Sequence, residues 1–136
     1  MMEKINLVSA SGIKIEVNDK GDYITINLAD RTFPKRFANA FDNIKKRYAE
    51  INQAKLPETD ALALLDVEIE TGRFIAEEID RLIGAGTCQK VFGDIVPDMY
   101  AITEFFEQLV PIIQKCGRER NAQIRSKYSA GRRGNR

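Results

Sequence analysis

The chain opens on an alternation of apolar and polar residues. Ile13, Ile15 and Val17 alternate with Lys14 and Glu16, and Ile24, Ile26 and Leu28 alternate with Thr25 and Asn27. A period of two puts the apolar side chains on one face of a strand. Between the two runs, Asn18-Asp19-Lys20-Gly21-Asp22 collects turn formers, with a glycine for positive φ. The pattern predicts a β-hairpin. Ile5 and Leu7, followed by the break from Ser9 to Gly12, add one more short strand through a second tight turn. Two strands alone are marginal in water, so their apolar face needs a cover, from the helices that follow or from another subunit.

From Phe33 the period changes. Phe33, Phe37, Phe41, Ile44, Tyr48 and Ile51 fall three or four residues apart, which is one stripe of an amphipathic helix. Asp30 or Thr32 caps it, Pro34 is tolerated in its first turn, and Lys35, Arg36, Lys45, Lys46 and Arg47 occupy the other face. It ends near Ala54, ahead of Lys55-Leu56-Pro57, because proline disfavours helix in the residue before it. A second helix starts at Thr59 or Asp60 and carries Leu62, Leu65, Ile69, Ala76, Ile79 and Ile83 at helical spacing. Gly72 lies inside it at a cost of ~1 kcal/mol relative to alanine, and a close crossing would account for it. Gly84-Ala85-Gly86 ends that helix, and Thr87 opens a short one through Val91 and Phe92. Asp98 opens a third long helix on Ile102, Phe105, Phe106, Leu109, Ile113 and Cys116, which Ile124 and Tyr128 extend past Gly117.

The expected fold class is therefore α+β. An N-terminal hairpin or small antiparallel sheet precedes three main helices and a short connecting helix, with helix over about half the chain. A length of 136 residues suits one domain, placed at residues 1–128. Residues 129–136 are rich in Gly and Arg without an apolar anchor and read as a disordered basic tail. The longest apolar runs are far shorter than the ~20 residues a membrane helix needs. The N-terminal residues have no apolar signal core, so a cytoplasmic location is expected.

Composition removes most catalytic chemistry. There is no histidine, which excludes His-based triads, His general bases and His ligands to a metal. Cys88 and Cys116 are too far apart for a zinc pair and read as free thiols. Gly84-Ala85-Gly86-Thr87-Cys88 has the look of a phosphate loop, but it follows a helix and lacks the lysine at the required place; a helix cap is the better reading. Asp66, Glu68, Glu70, Glu77, Glu78 and Asp80 lack a His partner for a helical metal site, and Glu77, Glu78 and Asp80 read as a solvated face. No catalytic, cofactor-binding or metal-binding residue is expected, and no cofactor.

Charge leaves a binding role open. Residues 117–136 carry a net +6, against −5 for the rest of the chain. An acidic body with a basic end invites a charged partner or self-association. The candidate partner-binding residues are Phe33, at the start of the aromatic stripe, and the basic Arg125, Lys127, Arg132 and Arg133. Phe37 and Phe41 are assigned to the core instead. Clustered Arg and Lys would also suit phosphate, but no helix offers a recognition face and the body is acidic, so nucleic acid is the lesser reading.

One stretch is more specific. Residues 79–94, Ile-Asp-Arg-Leu-Ile-Gly-Ala-Gly-Thr-Cys-Gln-Lys-Val-Phe-Gly-Asp, are followed by Pro97-Asp98 and by Phe105-Phe106-Glu107-Gln108-Leu109-Val110-Pro111. This resembles the tail assembly chaperone-like family of phages and prophages of Gram-positive bacteria. The hairpin-first opening and the basic end after Tyr128 are similar too. The resemblance implies a non-enzymatic chaperone in the bacterial host cytoplasm. It would bind the tape measure protein, help recruit the major tail tube protein, and form homo-oligomers. The alternatives are a nucleic-acid-binding regulator that uses the basic C-terminal tail, and a structural head–tail connector component.

Overall fold

The structure is a computed structural model that describes residues 2–53 and 60–134, with side chains for 2–51 and 60–129. The chain divides into two compact units, Met1–Ile102 and Thr103–Arg136, where length and composition suggest one domain. The architecture is α+β: a two-stranded antiparallel sheet, then four helices. Helix accounts for 68% of the structure, above the half expected from periodicity.

In the first unit, strands β1 (Ile13–Glu16) and β2 (Tyr23–Ile26) pair with Ile13 opposite Ile26 and Ile15 opposite Ile24. That register puts four isoleucines on one face, as the alternation requires. Ile24 and Ile26 are buried. Asn18 closes the hairpin turn: its Oδ1 accepts from the backbone N–H groups of Lys20 (2.8 Å) and Asp22 (3.3 Å). The third strand expected at Ile5 and Leu7 is not there. Residues 2–7 join no strand, Val8–Ala10 form a 3₁₀ turn, and Ile5 is 85% exposed. The alternation is present, but Ile5 and Leu7 are both exposed.

Helices α1 (Phe33–Gln53) and α2 (Ala61–Ile83) pack on each other, and α2 also contacts β2 and the short helix α3 (Thr87–Phe92). Ahead of α1, Asp30 makes an Asx turn. Its carboxylate accepts from the Thr32 hydroxyl (2.6 Å) and the Thr32 N–H (2.9 Å), and these bonds hold its pKa below the usual carboxylate value. Arg36 bonds Asp30 (2.9 Å) and the carbonyl of Leu82 (3.4 Å), which ties the start of α1 to the end of α2. Asp60 caps α2 through the N–H of Ala63 (3.0 Å). Residues 54–59, where the end of the first helix and the Thr59 cap were expected, lie outside the described residues.

The core differs from the stripe read in the sequence. On α1 the buried positions are Phe33, Ala40 and Ile44, while Phe37 and Phe41 are half-buried and Tyr48 is exposed. On α2 burial belongs to the second half: Ile75, Ile79 and Leu82 are buried, whereas Leu62, Leu65 and Ile69 are exposed. Gly72 is tight for a reason other than a helix crossing. A Cβ there would meet Val96 Cγ1 at 2.5 Å and the Pro97 carbonyl oxygen at 2.9 Å, so the segment leading to the last helix crosses α2 at this point.

Between α2 and α3 the chain turns on two glycines. Gly84 has φ 151° and ψ 152°, a region open essentially to glycine alone, and Gly86 is left-handed at φ 84°. Thr87 does not cap α3 with its side chain; its hydroxyl donates to Gly84 O (2.7 Å). The cap comes from Asp80, one helix back, whose Oδ1 accepts the N–H of Cys88 (2.9 Å). Helix α4 (Met99–Gly134) begins in this unit, with Asp98 Oδ1 on the N–H of Ala101 (2.9 Å).

The second unit is the rest of α4. Phe106 and Leu109 are its buried residues. Pro111 sits inside the helix and removes the N–H that would bond the carbonyl of Glu107. Composition predicts a disordered tail from Ser129, but the backbone stays helical through Gly134. Extending a formed helix needs no new nucleus, and Ala130, Arg132 and Arg133 are good helix formers. No described helix is long and apolar enough to cross a membrane.

Candidate functional site

The first half of α2 is apolar on more than one side. Leu62, Leu64, Leu65 and Ile69 lie within two turns, and burying one stripe would not use them all. Leu62 is 76% exposed and Leu65 is 51% exposed. Leu64, Leu65 and Ile69 form one wall of a groove of about 650 Å³ within the first unit. Tyr48 and Ile51 of α1 form the second wall. The third is Val96, Pro97 and Met99, held down on α2 by the close approach at Gly72. Ile75 and Ile102 are part of the lining, and both are buried.

Two carboxylates reach the groove, Glu68 of α2 and Asp98 at the head of α4. Of the acids in residues 60–70, Glu68 lines the groove. Residues 60–70 contain four acids (Asp60, Asp66, Glu68, Glu70) and no base. An apolar trough with an acidic rim suits an amphipathic helix whose polar edge is basic.

The second unit carries the opposite pattern. Residues 112–128 of α4 hold Lys115, Arg118, Arg120, Arg125 and Lys127 against one acid, Glu119. Arg118, Arg125 and Lys127 are exposed. Among them are Ile112, Cys116, Ile124 and Tyr128, which spread over about 160° of the helix and so form no single apolar stripe. Tyr128 is 72% exposed.

The expected partner-binding residues separate on this structure. Phe33 is corrected: it is 4% exposed, a core residue of the first unit with Phe37 6.1 Å away and the Arg36 guanidinium 5.8 Å from its ring. As the first residue of α1, packed beside the turn at Asp30, it has no surface to offer. Arg125 and Lys127 are exposed on α4. Arg132 and Arg133 lie in its helical backbone, and their side chains are outside the described set. The groove escaped the sequence reading. Its signal was the surplus of leucines at 62, 64 and 65 together with the small residue at 72.

The groups with catalytic potential are structurally engaged. Cys88 is buried and its Sγ donates to Ala76 O (3.5 Å). Burial, and then the neighbouring Asp80 carboxylate, push its thiol up from 9.0 to about 12, the reverse of an activated nucleophile. Glu78 is not solvated as its sequence context suggests. It is buried and paired to Arg81 at 2.8 Å. Asp80 is likewise occupied in capping α3. Among the described residues no three His, Cys, Asp or Glu side chains come together as metal ligands.

Residues 20–136 match the Family of unknown function (DUF6673). The chain belongs to this family. The DUF6673 match begins in the hairpin turn and spans β2 and all four helices, so the groove and the basic half of α4 lie inside it. No curated protein and no solved structure matches the chain.

Proposed function

We propose that the chain is a phage tail assembly chaperone, a non-enzymatic protein that binds the tape measure protein and aids tail-tube assembly in the host cytoplasm. The observation that carries this reading is the open apolar groove, with exposed leucines on the same half-helix. The resemblance over residues 79–111 supplies the biological setting.

The physical basis is differential burial. A long helical client exposes apolar stripes until the tail tube surrounds it. Covering such a stripe is worth about 25 cal/mol per Å². The groove presents Leu64, Leu65, Ile69 and Val96 to a stripe, while Glu68 and Asp98 favour Lys or Arg beside it. Several copies along one client would keep it soluble until tail-tube subunits displace them.

The test is co-expression with the tape measure protein of the same phage, followed by pull-down. A higher soluble yield and a recovered complex support the reading. A client that stays insoluble without a complex overturns it. The exposed basic side chains of α4 favour one rival, duplex DNA binding. Tight, salt-sensitive DNA binding in the same preparation, without client binding, would promote that rival.

A further inference from the structure

The two edges of the hairpin differ. The Val17 N–H donates to Asp22 O (3.0 Å), which sets the phase of the ladder: Ile15 with Ile24 and Ile13 with Ile26 exchange the backbone bonds. The N–H and C=O groups of Tyr23 and Thr25 therefore point away from β1, and those of Lys14 and Glu16 point away from β2. The β2 edge is guarded. Lys90 Nζ of α3 donates to Tyr23 O (3.1 Å), and Asn18 Nδ2 donates to the Lys90 carbonyl (2.9 Å). On the β1 edge, no hydrogen bond from the described residues reaches the outward backbone groups of Lys14 and Glu16. Ile13 and Ile15 are half-buried, whereas Ile24 and Ile26 on the same face are buried.

The chain's own N-terminal arm is held aside from this edge. The Ala10 N–H donates to Leu7 O (3.1 Å) and Asn27 Nδ2 to Ala10 O (2.9 Å), with Ile5 and Leu7 exposed. We propose that the open edge of β1 takes an extended segment of a partner protein as a third, antiparallel strand. The register states the partner's chemistry. Its backbone pairs with Lys14 and Glu16, and its side chains alternate between the two faces. The residues opposite Ile15 and Ile13 are apolar and cover the outer flank of those isoleucines. The residue opposite Glu16 is basic and the one opposite Lys14 is acidic, since cross-strand pairs favour opposite charges. Read from its N-terminus, the segment is base, apolar, acid, apolar. No hairpin residue lines the groove, so this surface is separate from it and the proposal does not rest on the chaperone reading.

The probe is the blocked peptide Thr-Arg-Val-Glu-Val-Thr, titrated into the isotope-labelled full chain and followed by NMR. In the free protein the Lys14 and Glu16 amides should exchange quickly with solvent and the Ile13 and Ile15 amides slowly. Millimolar peptide should shift the β1 amides and slow exchange at Lys14 and Glu16. Lys14→Pro removes an outward N–H and no ladder bond, so it should keep the fold by circular dichroism and lose the peptide. The second variant exchanges the charges, Lys14→Glu with Glu16→Lys. The wild type should prefer the probe over the swapped peptide Thr-Glu-Val-Arg-Val-Thr by about tenfold, and the exchanged variant should reverse that preference. Lys14 and Glu16 amides already protected in the free chain, by a second copy or by the arm, overturn the proposal. So does a β1 that millimolar peptide leaves unshifted, a folded Lys14→Pro protein that binds like wild type, or an exchanged variant with the wild-type preference.

Discussion

Replacing Gly72 with alanine sets two known effects against each other. In an open helix the exchange stabilises by about 1 kcal/mol, because alanine loses less backbone entropy. At Gly72 the added carbon would lie 2.5 Å from Val96 Cγ1 and 2.9 Å from the Pro97 carbonyl oxygen. Val96 is partly exposed and its side chain can rotate away. The carbonyl belongs to the backbone of a buried proline and moves only with its segment. Overpacking of this kind costs ~1–3 kcal/mol, and the rigid neighbour puts the cost in the upper part of that range. The net expectation is destabilisation of about 1–2 kcal/mol, a fall in melting temperature of about 3–8 °C. Gly117→Ala is the control. Gly117 is also helical, and nothing lies within 4 Å of its added carbon, so that variant should gain up to ~1 kcal/mol. Thermal melts followed by circular dichroism read both. A Gly72→Ala protein as stable as wild type would refute the close approach, and with it the packing of Val96 and Pro97 that forms one side of the groove.

Three further outcomes follow from the packing around α2. Ile75 is fully buried, so Ile75→Ala should cost about 2–5 kcal/mol in denaturant unfolding, and Phe41→Ala, at a half-buried site, should cost less. Asp80→Ala removes the cap on α3 and should cost about 0.5–2 kcal/mol by the same measurement. Cys88 should resist a thiol reagent at pH 8 in the native protein and react after denaturation. Its raised folded pKa also has a stability consequence: the contribution is complete below pH 9.0 and is lost as the pH rises toward about 12. Cys88→Ala should flatten that alkaline loss.

Local patterns carried the fold where one local rule governed. The isoleucine alternation set the hairpin register, Asp60 and Asp98 were readable as caps, and the glycines at 84 and 86 marked the turn between α2 and α3. Periodicity was silent on which part of a stripe is covered. Leu62, Leu65 and Ile79 share helical spacing, yet only Ile79 meets the rest of the core. Ile5 and Leu7 alternate like a strand but have no partner strand among the described residues. Asp80 and Glu78 were misread because their partners, Cys88 and Arg81, are fixed by the turn geometry and the local rotamers rather than by composition. The basic side chains at 125 and 127 were legible as a candidate surface. The groove was not, because it is made by the return of Val96 and Pro97 over Gly72, a contact that no periodicity encodes.

The central claim is that the groove beside α2 holds a client helix, and one comparison tests it most directly. On the proposed chaperone reading, the tape measure protein of the same phage is co-expressed with the wild-type chain or with Leu65→Asp, which puts a charge on the groove wall at a residue already 51% exposed. Both chains are first shown to have the same helical content. The account predicts soluble tape measure protein in complex with the wild type, and loss of both the complex and the solubility with Leu65→Asp. A tape measure protein recovered equally well with both chains, or with neither, would contradict it.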